Sequence, residues 1–250
     1  MAGFKAALIN ELEKLYRKKK VIVAALVSLM FIILGQLSIT VIRSGFGIRG
    51  VSSTEFPLLV LSVVVNTILP LFTALITIDS FSGEFSHNTM KITITRPVTR
   101  LKFFAAKISS IFIFVLINLM FVMIFSTIVG IIFNSNSFTL QGIIRILGSY
   151  LVTLIPMTVL ALIIVLLTNI LHSGISVFFV TILIFLLFKG LGIIFSSYSS
   201  LLFTSMLDWY KIWITSNISI LKIFRQFMIM LSYDILLFTG AYYLFDKKGF

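Results

Sequence analysis

The sequence predicts an all-α membrane protein with six transmembrane helices. Three observations carry this reading. Of the 250 residues, 59% are hydrophobic and 11% charged, against roughly 45–50% apolar and about 25% charged in soluble domains. The mean hydropathy is +1.16. The apolar residues gather into six runs, each close to the ~20 residues that carry a helix across a ~30 Å hydrocarbon core. Of the 20 Lys and Arg, all but Lys189 fall between these runs, and mostly on one side of them. Lipid offers no partner for backbone N–H and C=O groups, so only helices or closed barrels can span it. The runs lack the period-two alternation of a barrel strand. This composition argues against a soluble enzyme, a disordered tail or a nucleic-acid-binding domain. The chain has no Cys, so disulfide and thiolate chemistry are absent.

The chain is read as a single transmembrane domain over residues 1–250. The first span is residues 21–42. It is too long for the apolar region of a signal peptide, ends without a small-residue cleavage site, and is expected to be retained. The second is 57–78, the third 108–133, the fourth 146–170, the fifth 175–195 and the sixth 227–245. Pro70 and Pro156 fall inside spans two and four and are expected to kink them.

Lys and Arg set the orientation. With six spans both termini lie on one side. That side holds thirteen basic residues: six between Lys5 and Lys20, five between Lys91 and Lys107, and Lys247 and Lys248. The other side holds six: Arg43, Arg49, Arg145, Lys211, Lys222 and Arg225. The richer side is expected to be cytoplasmic, which makes the protein multi-pass in the cell membrane with both termini inside. The net charge of +12 is then a topology signal with some added attraction to anionic headgroups.

Residues 1–20 are expected to form an interfacial elbow helix. Phe4, Leu8, Leu12 and Leu15 recur on one face, with Lys5, Glu11, Glu13, Lys14 and Arg17 elsewhere, so the helix should lie in the interface with its apolar face down. Residues 201–214 have a similar pattern. Leu202, Phe203, Met206, Tyr210 and Trp213 share one face, and Thr204, Ser205, Asp208 and Lys211 the other. An outer amphipathic or re-entrant helix is expected here, with Trp209 and Trp213 as interfacial anchors or an outer gate.

The segment 79–107 is the longest polar stretch on the cytoplasmic side, and long ordered loops are usually functional. It contains Glu84 in a polar turn after span two, then Asn88-Thr89, Pro97 with Arg100, and Lys107 before span three. The last span closes in an aromatic and basic tail, from Tyr242 to Lys248. On these features the chain resembles the permease subunit of an ABC-2 type transporter, over all six spans in order. Asn88 stands where the family has a glycine. The resemblance implies an exporter whose cytoplasmic loop couples to a separate ATP-binding-cassette subunit, here through Glu84, Thr89, Arg96, Pro97 and Arg100. It also implies a second permease copy, identical or related. ATP and Mg would be bound by the partner, with no cofactor in this chain. The resemblance favours a helix for the loop, whereas residues 91–95 alternate like a strand. A helix is expected, because a lone strand there has no visible pairing partner.

No catalytic or metal-binding motif stands out. The chain has no P-loop, no H-E-x-x-H and no G-x-S-x-G. His87 and His172 are read as solvated loop residues. Few charges interrupt the spans, which suits an amphipathic or hydrophobic cargo such as an antimicrobial peptide or drug. The competing function is an ion-coupled secondary carrier or channel with no ATPase partner. Proton relays use chains of acids and histidines, and here only Lys189 and Asp234 lie within spans. Helix rise places them about 9 Å and 10.5 Å below the outer edge of the core. An ion pair between spans five and six is therefore expected, with Lys189 snorkelling alone as the bland alternative.

The charge count makes a direct prediction. A reporter fused after Lys102 should be cytoplasmic, and one fused near Asp208 external. An external 79–107 loop would overturn the orientation and the coupling assignment together.

Overall fold

A computed structural model of the chain describes residues 2–46, 51–86, 99–134, 139–171, 173–215 and 219–247. Every regular element among them is helical. In chain order these are α1 (Ala2–Tyr16), α2 (Lys19–Phe46), α3 (Glu55–Asn66), α4 (Ile68–Ser86), α5 (Arg100–Phe133), α6 (Leu140–Val152), α7 (Leu154–Ile170) and α8 (Gly174–Ile194). They are followed by a 3-10 turn (Ser196–Leu201), the short helices α9 (Phe203–Met206) and α10 (Tyr210–Ile214), and α11 (Ile220–Lys247).

Among the described residues five stretches are long and apolar enough to cross a membrane, and six if the bent pair α3–α4 counts as one span. The expected second span is that bent pair. It breaks at Thr67 by 45°. Pro70 is the third residue of α4, where it cannot donate to the carbonyl of Asn66 and its ring crowds that carbonyl. The same logic separates α6 from α7 at Thr153, with Pro156 third in α7. The kinks expected at the two prolines therefore occur one turn N-terminal to them. Helix starts carry their own signals. The Thr99 and Thr139 side chains accept from the backbone N–H of Lys102 and Gly142, at 3.4 and 3.1 Å. Ser52 and Glu55 exchange reciprocal bonds before α3, as in a capping box.

The segment expected as a 29-residue cytoplasmic loop is largely helix. α4 runs on to Ser86 and α5 begins at Arg100, so the remaining connection is 87–98. That connection, with the strand-like residues 91–95, lies outside the described residues. α5 has 34 residues, about 51 Å at 1.5 Å per residue, so it projects well beyond a ~30 Å core.

α5 and the α6–α7 pair form the centre. In the most apolar 18-residue window of Leu140–Ile170, 61% of residues are buried, against 11% for α8 and for α11. α5 packs on α1, α2 and α3; α7 packs on α4 and α11; α8 packs on α4. The buried side of α5 runs through Phe104, Ile111, Phe114, Leu119 and Val122, a helical spacing of three, four or more residues that keeps one face inward.

Gly130 marks a close approach near the end of α5. A Cβ there would meet the carbonyl oxygen of Ser53 at 2.8 Å. Gly130→Ala should therefore destabilise the protein by roughly 1–3 kcal/mol through overpacking. Gly148→Ala, with open space around it, should be neutral or stabilising by about 0.5–1 kcal/mol. Thermal unfolding in detergent compares the two, and equal midpoints would contradict the packing at Gly130.

Candidate functional site

Two polar clusters are built into this apolar body, one at each end of α4. The first lies where α1, α4 and α5 meet. Lys107 is fully buried and Glu11 is 4% exposed. Lys107 Nζ donates to Glu11 Oε2 at 2.8 Å and to the Ser80 carbonyl at 2.8 Å. The ammonium also lies over the Phe103 and Phe81 rings, at 4.9 and 5.7 Å. Phe81, Phe104 and Phe245 pack edge-on or tilted beside it. Glu11 is thus a buried ligand of Lys107 and not part of a solvated face. α1 docks on α5 through it, with Leu15 buried below, so α1 is clamped to the bundle.

Further ion pairs ring this end. Asp79 takes Lys20 at 2.8 Å and Lys18 at 3.7 Å. Arg100 Nη1 donates to the Asp246 carbonyl at 2.5 Å and lies 3.6 Å from its carboxylate. Arg100, expected to face a partner, therefore also ties the start of α5 to the end of α11. Of the other expected coupling residues, Glu84 falls in the last turn of α4, while Thr89, Arg96 and Pro97 lie outside the described residues, as do His87 and His172.

The second cluster surrounds the break at Thr67. Lys189 donates to Asn66 Oδ1, and Asn66 Nδ2 donates to Asp208 Oδ1 at 3.1 Å. Asp208 also pairs with Lys211 at 3.0 Å. The expected Lys189–Asp234 pair is not formed. Asp234 instead accepts from the Thr158 hydroxyl, 3.2 Å from both carboxylate oxygens. The reason is the packing order. α11 lies against α7, and α8 against α4, so each charge meets a polar group on a different, non-consecutive helix.

The 201–214 segment is likewise not one amphipathic helix. It is a 3-10 turn and two short helices that enter the bundle. Phe203, Thr204, Met206, Leu207, Trp209 and Tyr210 are buried, including a threonine expected to face water. Burial raises the pKa of the Tyr210 phenol. Trp209 stacks on Phe227 at 6.4 Å and meets Trp213 edge-on at 5.6 Å. Trp213 is the half-exposed member of the pair.

The family model of the ABC-2 family transporter proteins matches residues 7–189, which is 183 of the 250 residues. The chain belongs to the ABC-2 family of transporter proteins. It is therefore a multi-pass membrane permease of a family that typically works with an ATP-binding subunit and is generally non-catalytic itself. No curated protein matches the chain. The match covers the Lys107–Glu11 cluster and ends at Lys189. For the ABC-2 permease, sequence reasoning named Lys107 only as a motif position and missed Glu11 as its partner. The signal was present: an acid one turn from Leu15 on a helix next to a span with a basic residue at its base.

Removing one partner of a buried ion pair strands the other charge and costs roughly 3–5 kcal/mol. Glu11→Leu and Lys107→Met should each lower stability by about that much, and the double variant should recover more than half of the combined loss. Strictly additive unfolding free energies in detergent would show that the two charges are not coupled.

Proposed function

We propose that this permease is the membrane subunit of an ATP-driven exporter. Two permease copies form the path and two ATP-binding subunits, which hold ATP and Mg, drive it from the cytoplasm. Docking is assigned to the end of α4 and the connection to α5, with Glu84, Thr89, Arg96, Pro97 and Arg100 as its residues. The observation that carries this reading is the buried Lys107–Glu11–Ser80 junction. It joins α1, α4 and α5 at the base of the loop, so a push on the loop reaches the bundle as motion of one rigid body.

The cargo is assigned as amphipathic or hydrophobic, such as an antimicrobial peptide or drug. A cavity of about 480 Å³ supports this. Its walls include Leu75, Ile78, Ile175 and Phe178, and Lys20 and Asp79 stand at its polar side. Trp209 and Trp213, on the segment packed into the opposite end, are assigned to the outer gate. Family membership favours this reading over a secondary carrier working without an ATPase.

The test uses the permease purified with its ATP-binding subunit and reconstituted in liposomes. Glu84→Ala and Arg96→Ala should lower permease-dependent ATP hydrolysis and ATP-driven efflux of a fluorescent amphipathic dye roughly fivefold, a loss of about 1 kcal/mol of coupling. Membrane levels should be unchanged. Wild-type rates in both variants would remove the loop from the coupling path.

A further inference from the structure

We propose that the pocket between the outer end of α11 and the Ser196–Leu201 turn binds the phosphate of an anionic lipid headgroup. The pocket measures about 360 Å³ and is lined by Ser199, Ser200, Ser205, Lys222, Arg225 and Gln226, with Ile229 on its apolar wall. Positions 222, 225, 226 and 229 follow i, i+3, i+4, i+7, so one face of α11 supplies them. This concentrates two cations on neighbouring positions, where like charges repel. They also lie in the first two turns of a 28-residue helix with no acid in its first turn. The positive end of the helix dipole adds to the repulsion there.

Nothing in the described chain answers these charges. The Lys222, Arg225 and Gln226 side chains form no hydrogen bond or ion pair with any described residue. From Trp209 to Tyr233 the sequence contains no acid. Nearby Asp208 is already held by Lys211 and Asn66. The charge count places this end of α11 outside, where basic residues near short loops are disfavoured, so an external anion is the counter-charge.

A phosphate suits the lining. The Arg225 fork and the Lys222 ammonium supply charged donors, and the serine hydroxyls supply neutral ones. The pocket wall is held in place by the Tyr233 hydroxyl, which donates to the Leu201 carbonyl at 3.1 Å, and by the Trp209–Phe227 stack. Leu221 and Phe224, next to the two cations along α11, are exposed, as are Ile193 and Ile194 at the end of α8 that leads into the Ser196–Leu201 turn. This apolar rim fits acyl chains, as in basic pockets that hold anionic headgroups beside transmembrane helices. The inference does not depend on the export reading, and its test uses no transport readout.

Thermal unfolding of the purified protein in neutral detergent provides the test, with three additives: phosphatidylglycerol, phosphatidylcholine and inorganic phosphate. At a concentration about 100 times Kd, phosphatidylglycerol should raise the midpoint by roughly 5–10 °C, and phosphatidylcholine by much less. The gain should vanish in Lys222→Gln/Arg225→Gln, persist in Lys222→Arg/Arg225→Lys, and persist in the cytoplasmic control Lys5→Gln/Lys102→Gln. An equal gain from inorganic phosphate, also lost in the Gln variant, would support the site with a soluble anion as its source. A phosphatidylglycerol gain that survives in the Gln variant, or is absent from the wild type, overturns the proposal. Should the Gln variant not fold, native mass spectrometry of Lys222→Gln and Arg225→Gln singly decides: unchanged retention of phosphatidylglycerol in both overturns it equally.

Discussion

An ammonium group removed from water must be met by an anion or be abandoned at a cost of several kcal/mol. Lys107 is met by Glu11, and that requirement organises the half of the molecule that carries α1 and the base of α5. Glu11 can reach Lys107 only if α1 lies along α5. The Ser80 carbonyl can reach it only if α4 passes on the other side. Phe81 and Phe103 shield the pair with their ring faces, which lowers the local dielectric and strengthens the attraction. One charge thereby brings together three helices that hydrophobic packing alone could slide past one another, because Leu and Ile surfaces discriminate poorly between neighbouring registers.

The other half meets the opposite problem, a backbone interruption inside an apolar span. Pro70 removes a helix bond at the level of Asn66, and membrane breaks persist where protein groups surround them. Lys189 and Asp208 reach Asn66 from two other elements. The segment after α8 is drawn into the bundle, which explains why Trp209 and Tyr210 are buried although they lie in a connection. The bend, Lys189 and the buried 203–210 segment form one arrangement.

Much of the fold was legible because hydropathy reports directly on lipid. The six apolar runs correspond to α2, α3–α4, α5, α6–α7, α8 and α11, with shifted ends. Hydropathy marks where lipid stops, not where a helix stops, so the helical flanks of the 79–107 segment are expected as separate short helices, whereas they continue α4 to Ser86 and extend α5 back to Arg100. The breaks had a visible cause that was placed one turn late. Both follow the same local pattern, a threonine, two branched aliphatic residues and a proline, in Thr67-Ile68-Leu69-Pro70 and Thr153-Leu154-Ile155-Pro156, with the chain breaking at the threonine. The Lys189 partner was missed for a different reason. Helix rise gives depth but not direction, and Asn66, about 13 Å into span two from residue 57, was at an acceptable depth all along. Consecutive spans are common neighbours, but α8 and α11 are held apart by their separate packing on α4 and α7.

α4 connects the two polar clusters, and its geometry limits how the ends can communicate. Its 19 residues span about 28 Å. A tilt of 10° about Thr67 would displace the Ser86 end by about 5 Å, close to one helical turn. Ser80 is tethered to Lys107, so α4 cannot make that swing alone without stranding the buried ammonium. α1 and the base of α5 must move with it. At the pivot, Asn66 remains bound to Lys189 and Asp208, so the same swing loads the segment that carries Trp209. Under the export reading, the loop and the outer segment are therefore coupled through one rigid lever and one hinge, with no need for a continuous chain of polar groups across the membrane.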